Sequence, residues 1–389
     1  MTKRGNTGLA KVKEIYEDRS FYAKQLKAED KKIIGYLCIY TPLEILTALD
    51  IVPYRLFGNM REPITNADAY FPTLVCPFLR SILDLGLKGK YDFLDGSVMP
   101  HVCEVGEKLA HIWRTYIDLP YSFYIDTPHS KSEAALEYHK EWLNEFKKSL
   151  ESLTGKELST ESLKQATKAH NEQRALVRRL YELRKTEPPL ISGAETLQVM
   201  KALMSIPVKE GNELLQEVIS EVKERREGPK GGTRLLLWGS NIDDIAIIEI
   251  MEEFGANVVM DDLCVGSRFY FPDVDMTEDP LDGLARRYLL DLKCPRTFIG
   301  AAVGDTKRDY PKDLERRFGY LHKYAEEWNV KGAILYNLRF CDIHGFEAPL
   351  VKDYFDRYGL RSMYLEHDYS ESSLAPLRTR IQGFLELLT

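Results

Sequence analysis

The chain has 389 residues, of which 44% are hydrophobic, and it carries a formal net charge of −7 with basic and acidic residues mixed throughout. An acidic chain without clustered lysine and arginine is poorly suited to neutralising phosphates, which argues against nucleic acid as a partner. No apolar run reaches the roughly 18 residues that a membrane span requires, and the N-terminus lacks the hydrophobic segment of a signal peptide, so we expect a cytoplasmic protein without membrane contact.

The first half of the chain alternates between helical and β-type patterns. Pro42 fits the first turn of a short helix between two strand-like apolar runs. The predicted elements are a helix over 8–30, a strand over 33–40, a helix over 43–49, strands over 52–58, 91–98 and 121–125, and a helix from 103 to about 116. This alternation is typical of an α/β domain.

The middle of the chain is helical, and the second half returns to alternating strands and helices. Two or three helices over the surface of the first domain are predicted for 130–184, and a helical pair is predicted up to about 225. After a glycine-rich linker at 227–232, the predicted elements are strands over 234–239, 256–260, 332–337 and 362–366, a helix opened by Ser240 or Asn241 with Asp243 and Asp244 in its first turn, and a closing helix over 377–388.

These elements predict the fold class and its division into segments. The fold class is α/β, with two Rossmann-like parallel-sheet domains, an N-terminal helix and a helical insertion between the domains. The predicted segments are an N-terminal helical segment (1–32), a first α/β domain with a helical extension (33–190), a helical linker (191–230) and a second α/β domain (231–389).

Six cysteines are spread over the chain, three in each half, and each lies beside a short apolar run or a turn signal. They are Cys38, Cys76, Cys103, Cys264, Cys294 and Cys341. Disulfides are not expected in a reducing cytoplasm, and the close cysteine pairs that are typical of structural zinc sites are absent. Residues at the carboxyl ends of parallel strands can converge, so these thiols are candidate ligands of an iron–sulfur cluster, the alternative being small buried hydrophobic residues.

Six segments around these cysteines and near the C-terminus form a set of motifs. They are 35–45 (GYLCIYTPLEI), 76–80 (CPFLR), 101–104 (HVCE), 261–268 (DDLCVGSR), 339–342 (RFCD) and 378–384 (RTRIQGF). In this order, and over nearly the whole chain, they resemble the motifs of the 2-hydroxyacyl-CoA dehydratase and benzoyl-CoA reductase superfamily. The resemblance is greatest to its branch of double-cubane cluster proteins.

The resemblance implies an iron–sulfur catalytic component that reduces a small molecule with low-potential electrons from a separate ATP-hydrolysing activator protein. By motif, Cys76, Cys103 and Cys341 match the three cysteines that hold one [4Fe-4S] cubane in the dehydratases. The other three cysteines would then hold a second cubane. In a double-cubane [8Fe-9S] cluster, six thiolates and one bridging sulfide satisfy all outer iron sites. The implied assembly is a homodimer, or a complex with a related second subunit.

Two alternatives stay open at this point. The chain could be a subunit of a heteromeric benzoyl-CoA reductase or 2-hydroxyacyl-CoA dehydratase with a single [4Fe-4S] cluster, or a non-catalytic electron-transfer protein. Dehydratases commonly have Gly-Gln shortly before the Thr-Arg motif, whereas this chain has 375–378 (APLR), which argues against dehydration. The glycine-rich segment 228–233 lacks the spacing of a phosphate-binding loop, so ATP is expected to act on a partner protein.

Two residues are candidates for proton transfer. Glu44, at a helix start near Cys38, is a candidate proton donor, or it stabilises the positive end of that helix. His101, two residues before Cys103, is a candidate proton relay or a hydrogen-bonded structural histidine.

Two arginines are candidates to bind the cofactor. Arg80 and Arg268 could offset the negative charge of a thiolate-bound cluster or hold an anionic substrate, because guanidinium is always charged and makes paired hydrogen bonds. The alternative for both is a surface salt bridge. The same two interpretations, a role at the site or a structural role, apply to His344 near Cys341.

Overall fold

The computed structural model of the chain describes residues 8–297 and 309–388. Within them lie two four-stranded sheets in which every neighbouring pair of strands is parallel. The first sheet, in the order β2-β1-β3-β4, consists of β1 (Lys32–Tyr36), β2 (Ile51–Arg55), β3 (Gly96–Pro100) and β4 (Ser122–Ile125). The second, in the order β6-β5-β7-β8, consists of β5 (Thr233–Gly239), β6 (Ala256–Asp262), β7 (Gly332–Leu338) and β8 (Ser362–His367). The fold is therefore α/β with two Rossmann-like domains, as predicted from the sequence.

Helices flank both sheets. The α-helices of the described residues are α1 (Gly8–Glu17), α2 (Arg19–Ala28), α3 (Leu43–Ala48), α4 (Pro77–Leu87), α5 (Glu104–Tyr116), α6 (Glu133–Thr154), α7 (Thr160–Glu182), α8 (Gly193–Leu203), α9 (Val208–Glu224), α10 (Ala246–Glu253), α11 (Ser267–Tyr270), α12 (Pro280–Arg286), α13 (Tyr310–Glu327), α14 (Asp342–Arg357) and α15 (Leu374–Glu386). The helix predicted over 8–30 is two helices, because the Asp18 carboxylate accepts the N–H of Phe21 as the N-cap of α2.

One helix was missed, and two local predictions were wrong. Helix α4 was not predicted, although Pro77 at its first position is a helix-start signal. The strand predicted over 91–98 begins only at Gly96, because the segment before it forms a turn in which Gly89 has a φ of 72°. The helix predicted to open at Ser240 or Asn241 begins at Ala246 instead, and the Asp243 carboxylate accepts the hydroxyl of Tyr369 at 2.7 Å.

Helix α7 joins the two domains and is not the surface helix that the sequence predicted. Its side chains Val177, Leu180 and Tyr181 have no exposed surface. Arg174 forms an ion pair with Glu44 in the first domain, and the Tyr181 hydroxyl donates to Asp261 in the second at 2.6 Å. Buried contacts of this helix therefore contribute to holding the two domains together, beside direct contacts between them such as that of Tyr288 with Glu44.

No helix among the described residues combines the length and apolarity that crossing a membrane would need. Residues 1–7 of the predicted N-terminal segment, and residues 298–308 and 389 of the predicted second domain, lie outside the described part of the chain.

Candidate metal centre

Segments that follow strands of both sheets line one cavity of about 460 Å³. All six cysteines are among its lining residues: Cys38, Cys76, Cys103, Cys264, Cys294 and Cys341. Cysteines that are far apart in the sequence thus converge between the two domains. Apolar side chains such as Leu37, Phe78 and Leu338 supply much of the remaining wall.

Three of the cysteines, which we call the Cys76 group, stand at the N-termini of helices. Cys76, Cys103 and Cys341 are the N-cap residues of α4, α5 and α14, and the Cys103 sulfur accepts the N–H of Gly106 at 3.3 Å. Burial, with a smaller contribution from the neighbouring Cys103, raises the pKa of Cys76 to about 12. Burial raises the pKa of Cys341 well above its ordinary value, with contributions from Cys76, Cys103 and, from the other three cysteines, Cys264. These thiols are therefore close enough to influence one another, and helix N-termini with partial positive charge surround them.

The other three cysteines, which we call the Cys38 group, lie next to arginines. Burial, with contributions from Cys264 and Cys38, raises the pKa of Cys294 to about 12, so these thiols also lie close enough to influence one another. Arg268 donates from Nη1 to the Cys264 sulfur at 3.4 Å. Burial raises the pKa of Cys38, and the charge of Arg55 opposes that rise.

A buried hydrogen-bond network reaches one sulfur of each group. Arg268 Nε and Nη2 bind the Asp262 carboxylate at 3.1 and 2.9 Å, and Nη1 contacts both Cys264 and His344 Nε2, the latter at 3.1 Å. Guanidinium can only donate, so His344 Nε2 must accept, and we assign its proton to Nδ1. That Nδ1 lies 3.5 Å from the Cys341 sulfur. The network therefore directs an N–H at each of two thiols.

His129, Arg296, Arg55 and Asn241 line the cavity and were not predicted as site residues. Arg296 donates to the carbonyl oxygens of Thr127 and Pro128 and stands over the ring of Tyr40. Arg55 and Asn241 are buried, and Nε and Nη1 of Arg55 and both amide atoms of Asn241 have no hydrogen-bond partner. An arginine that ends a strand and an asparagine in a turn carry no distinctive sequence signal.

The donor set fits an iron–sulfur cluster better than a single ion. Among the described residues, no three His, Cys, Asp or Glu side chains are arranged to hold one metal ion. Thiolates bound to different irons of a cluster are farther apart than ligands of one ion, and soft sulfur donors in an apolar wall are typical of iron–sulfur proteins. Because burial raises the pKa values of Cys76 and Cys294, these two thiols are neutral without a metal and are not activated nucleophiles.

The family model of the 2-hydroxyglutaryl-CoA dehydratase D-component matches residues 38–388. The chain belongs to this family. The match begins at Cys38 and includes all six cysteines.

Similar members of the dehydratase D-component family are named as subunits of larger enzymes. The chain is 27% identical to a subunit of the benzoyl-CoA reductase of Thauera aromatica over 387 residues, which is 97% of each chain. It is 26% identical to the (R)-phenyllactyl-CoA dehydratase beta subunit of Clostridium sporogenes over 97% of each chain. It is 23% identical to the beta subunit of (R)-2-hydroxyglutaryl-CoA dehydratase of Acidaminococcus fermentans, over 93% of this chain and 94% of that subunit.

In this member of the family, Glu44 and Arg80 are not among the residues that line the thiol cavity. Arg80 pairs with Asp68. Glu44 is buried, pairs with Arg174 and accepts the hydroxyl of Tyr288 at 2.8 Å. Burial alone would raise the pKa of Glu44, but the surrounding cations, Arg174 first, lower it to about 2. Such a carboxylate holds no proton at neutral pH, so its geometry is that of a structural ion pair and not of a donor.

His101 does not line the cavity, but its ring contacts that of His129, which does. Its Nδ1 lies 3.0 Å from the Asp126 carboxylate, and its ring contacts that of His129 edge to face at 4.9 Å between centroids. His129 lines the cavity, and its Nδ1 lies 3.2 Å from the carbonyl oxygen of Arg296. Burial and Arg296 lower the pKa of His129.

Proposed function

We propose that this chain is the catalytic component of an ATP-dependent, low-potential reductase that reduces a small molecule at a double-cubane [8Fe-9S] cluster. Electrons would come from a separate ATP-hydrolysing iron–sulfur activator protein, and the assembly would be a homodimer. The family relationship supports an enzyme component, and the relatives named as subunits support a multi-component system.

The observation that carries the proposal is the convergence of six cysteines on one cavity, three of them at helix N-termini and a fourth in contact with Arg268. The Cys76 group consists of the same three cysteines that match one cubane by motif. A single cubane would use that group and leave three buried thiols of the same cavity without a role. Two groups of three thiolates fit two cubanes joined by a bridging sulfide.

The cysteines would hold the cluster, which when bound supplies electrons at low potential. The chain's own residues would bind it, balance its charge and exclude water. Arg268 and the His344 Nδ1–H direct donors at Cys264 and Cys341, and such hydrogen bonds to sulfur, together with burial, set the potential of an iron–sulfur centre. The apolar wall keeps solvent from the reduced site.

A path of two hydrogen bonds and one ring contact between histidines supports proton delivery from the surface. The exposed Tyr138 donates to Asp126 at 2.7 Å, and Asp126 contacts His101, whose ring touches His129 at the cavity. A carbonyl oxygen can only accept, so the contact with Arg296 fixes the proton of His129 on Nδ1 and leaves Nε2 able to accept another. In this proposal His129 transfers protons to the cavity and His101 resupplies it.

The second candidate function is a subunit of a heteromeric benzoyl-CoA reductase or 2-hydroxyacyl-CoA dehydratase with one [4Fe-4S] cluster. Similarity over 97% of two relatives that are named as subunits of such enzymes favours it. Cys264→Ser and Cys294→Ser separate the two functions: each should remove about half of the iron from a double cubane and leave a single cubane at the Cys76 group intact.

The third candidate function, a non-catalytic electron carrier, is disfavoured by the unpartnered amide of Asn241 in the cavity wall. An amide has both donors and an acceptor, and sulfide can satisfy only the donors. The free acceptor favours a site that also receives a ligand or water.

Anaerobic iron and acid-labile sulfide analysis tests the proposal. We expect about eight iron and about nine sulfide per chain, and ATP-dependent turnover when an activator protein is added. Iron near four supports the single-cubane alternative, a loaded protein without turnover supports the carrier, and negligible iron contradicts all three. His129→Phe should lower turnover by at least about tenfold with an unchanged iron content.

A further inference from the structure

Arg55 is a buried cation for which the described protein offers no counter-ion. It ends β2, pairs in register with Tyr36 of β1, and is only 2% exposed. Nε and Nη1 of its guanidinium are buried without a hydrogen-bond partner, and among the described residues no carboxylate lies within 4 Å of it. A buried, unpaired charge is costly, so a native structure that keeps one needs an explanation.

The contacts that Arg55 does make compensate its charge only in part. Its guanidinium carbon lies 5.3 Å from the ring centroid of Tyr36 and 5.8 Å from that of Phe57. Ring faces attract a cation weakly and cannot replace an anionic acceptor. Its neighbour Arg19 donates to the Arg55 carbonyl oxygen at 2.8 Å and adds a second positive charge.

The other two arginines near the thiols have stronger partners within the protein, although Nε of Arg296 is also without a hydrogen-bond partner. Arg268 has the Asp262 carboxylate, and Arg296 has two main-chain carbonyl oxygens. Arg55 lines the same cavity as Cys38 without such a partner. Its missing anion must therefore come from what the cavity binds.

We propose that Arg55 is a positioning residue whose counter-ion is the thiolate-bound cluster at the Cys38 group, and that its charge stabilises the reduced form of that cluster. This inference rests on the proposed function, since it needs a cluster in the cavity. Reduction adds one electron and hence one negative charge to the cluster. A cation beside the cluster therefore favours reduction and raises the reduction potential.

The experiment compares Arg55→Met and Arg55→Lys with Arg80→Met, a control outside the cavity whose arginine already has Asp68 as a partner. In the metal-free protein, Arg55→Met should unfold at the same or a higher denaturant concentration than the wild type, because an unpaired charge is removed. Arg80→Met should unfold at a lower one, because it leaves Asp68 unpaired.

In the reconstituted protein, an anaerobic redox titration followed by electron paramagnetic resonance gives the second measurement. At a fixed potential, Arg55→Met should show a ratio of reduced to oxidised cluster about tenfold lower than the wild type. Arg55→Lys should restore most of that ratio, and Arg80→Met should match the wild type.

Two results would overturn the inference while the proposed function stands. One is an unshifted potential in Arg55→Met that holds the wild-type amount of iron. The other is a destabilised metal-free Arg55→Met protein, which would show that Arg55 has its partner within the chain. A wild-type protein that holds no cluster would overturn both the proposed function and the inference.

Discussion

The two groups of cysteines in the cavity differ in how the protein stabilises negative charge on their sulfurs. Each member of the Cys76 group caps a helix, so main-chain N–H groups and the positive ends of α4, α5 and α14 face its sulfurs. Members of the Cys38 group cap none of these helices and have guanidinium groups nearby instead.

This difference separates what the fold provides from what single side chains provide. Helix N-termini are part of the backbone, so the Cys76 group keeps its environment as long as the helices form. The Cys38 group depends on Arg55 and Arg268, each of which one substitution can remove. We therefore expect substitutions of charged residues to act first on the Cys38 group.

The largest effect is expected for Arg268→Met. The substitution removes the donor to Cys264 and leaves the buried Asp262 carboxylate with the hydroxyl of Tyr320, 2.8 Å away. Breaking a buried ion pair on one side costs about 3–5 kcal/mol, which denaturant unfolding of the metal-free protein should show. The reconstituted protein should also lose the iron of the Cys38 group.

Arg178→Met is the matched control for this substitution. Arg178 pairs with Asp273, both side chains are partly exposed, at 34% and 45%, and Arg178 also donates to the carbonyl oxygen of Phe271. Such a pair contributes about 1 kcal/mol at most. Equal losses of unfolding free energy in Arg268→Met and Arg178→Met would contradict the larger cost expected for breaking the buried pair.

Glu44→Gln should have the next largest effect, and it depends on pH. The folded-state pKa of Glu44, about 2, lies below the unfolded value of about 4.5, so the carboxylate contributes stability that is fully present above pH 4.5. That contribution, about 3 kcal/mol, is lost as the pH falls through 2. Unfolding curves should therefore separate wild type from variant at neutral pH and converge in acid. A constant difference would contradict the low pKa.

Gly106→Ala tests the helix-terminus group without changing a charge. A Cβ at this position would lie 2.3 Å from Cγ2 of Val102 and 3.5 Å from the Cys103 sulfur, so Val102 or the first turn of α5 must move next to Cys103. We expect the loss of about half of the iron, that of the Cys76 group. Gly228→Ala, where the nearest atoms lie at ordinary contact distances of 3.6 Å or more, should retain all of it.

His344→Phe should have the smallest effect. It removes the N–H near Cys341 and keeps a ring in the space beside Trp238, whose ring centroid lies 5.4 Å away. The iron content should stay unchanged while the reduction potential falls slightly, because hydrogen bonds to sulfur raise it. A redox titration of variant and wild type measures this shift, and an identical potential would remove His344 from the network.

The sequence predicted the strands and the convergence of the cysteines because apolar runs and turn residues mark where parallel strands end. It could not show the charge environment of the thiols. In the sequence, Arg55 and Arg296 cannot be distinguished from exposed arginines, although both are buried in the fold. Glu44 has the pattern of an ordinary helix-start residue, and its ion pair with Arg174 of α7 is visible only in the structure. The helix after Cys76 was missed even though Pro77 signals it.

The most direct test of the account is an anomalous difference map at the iron edge from anaerobically grown crystals. The account predicts iron peaks beside the sulfurs of both cysteine groups, about eight per chain. Peaks beside the Cys76 group alone, or no peaks in the cavity, would contradict it.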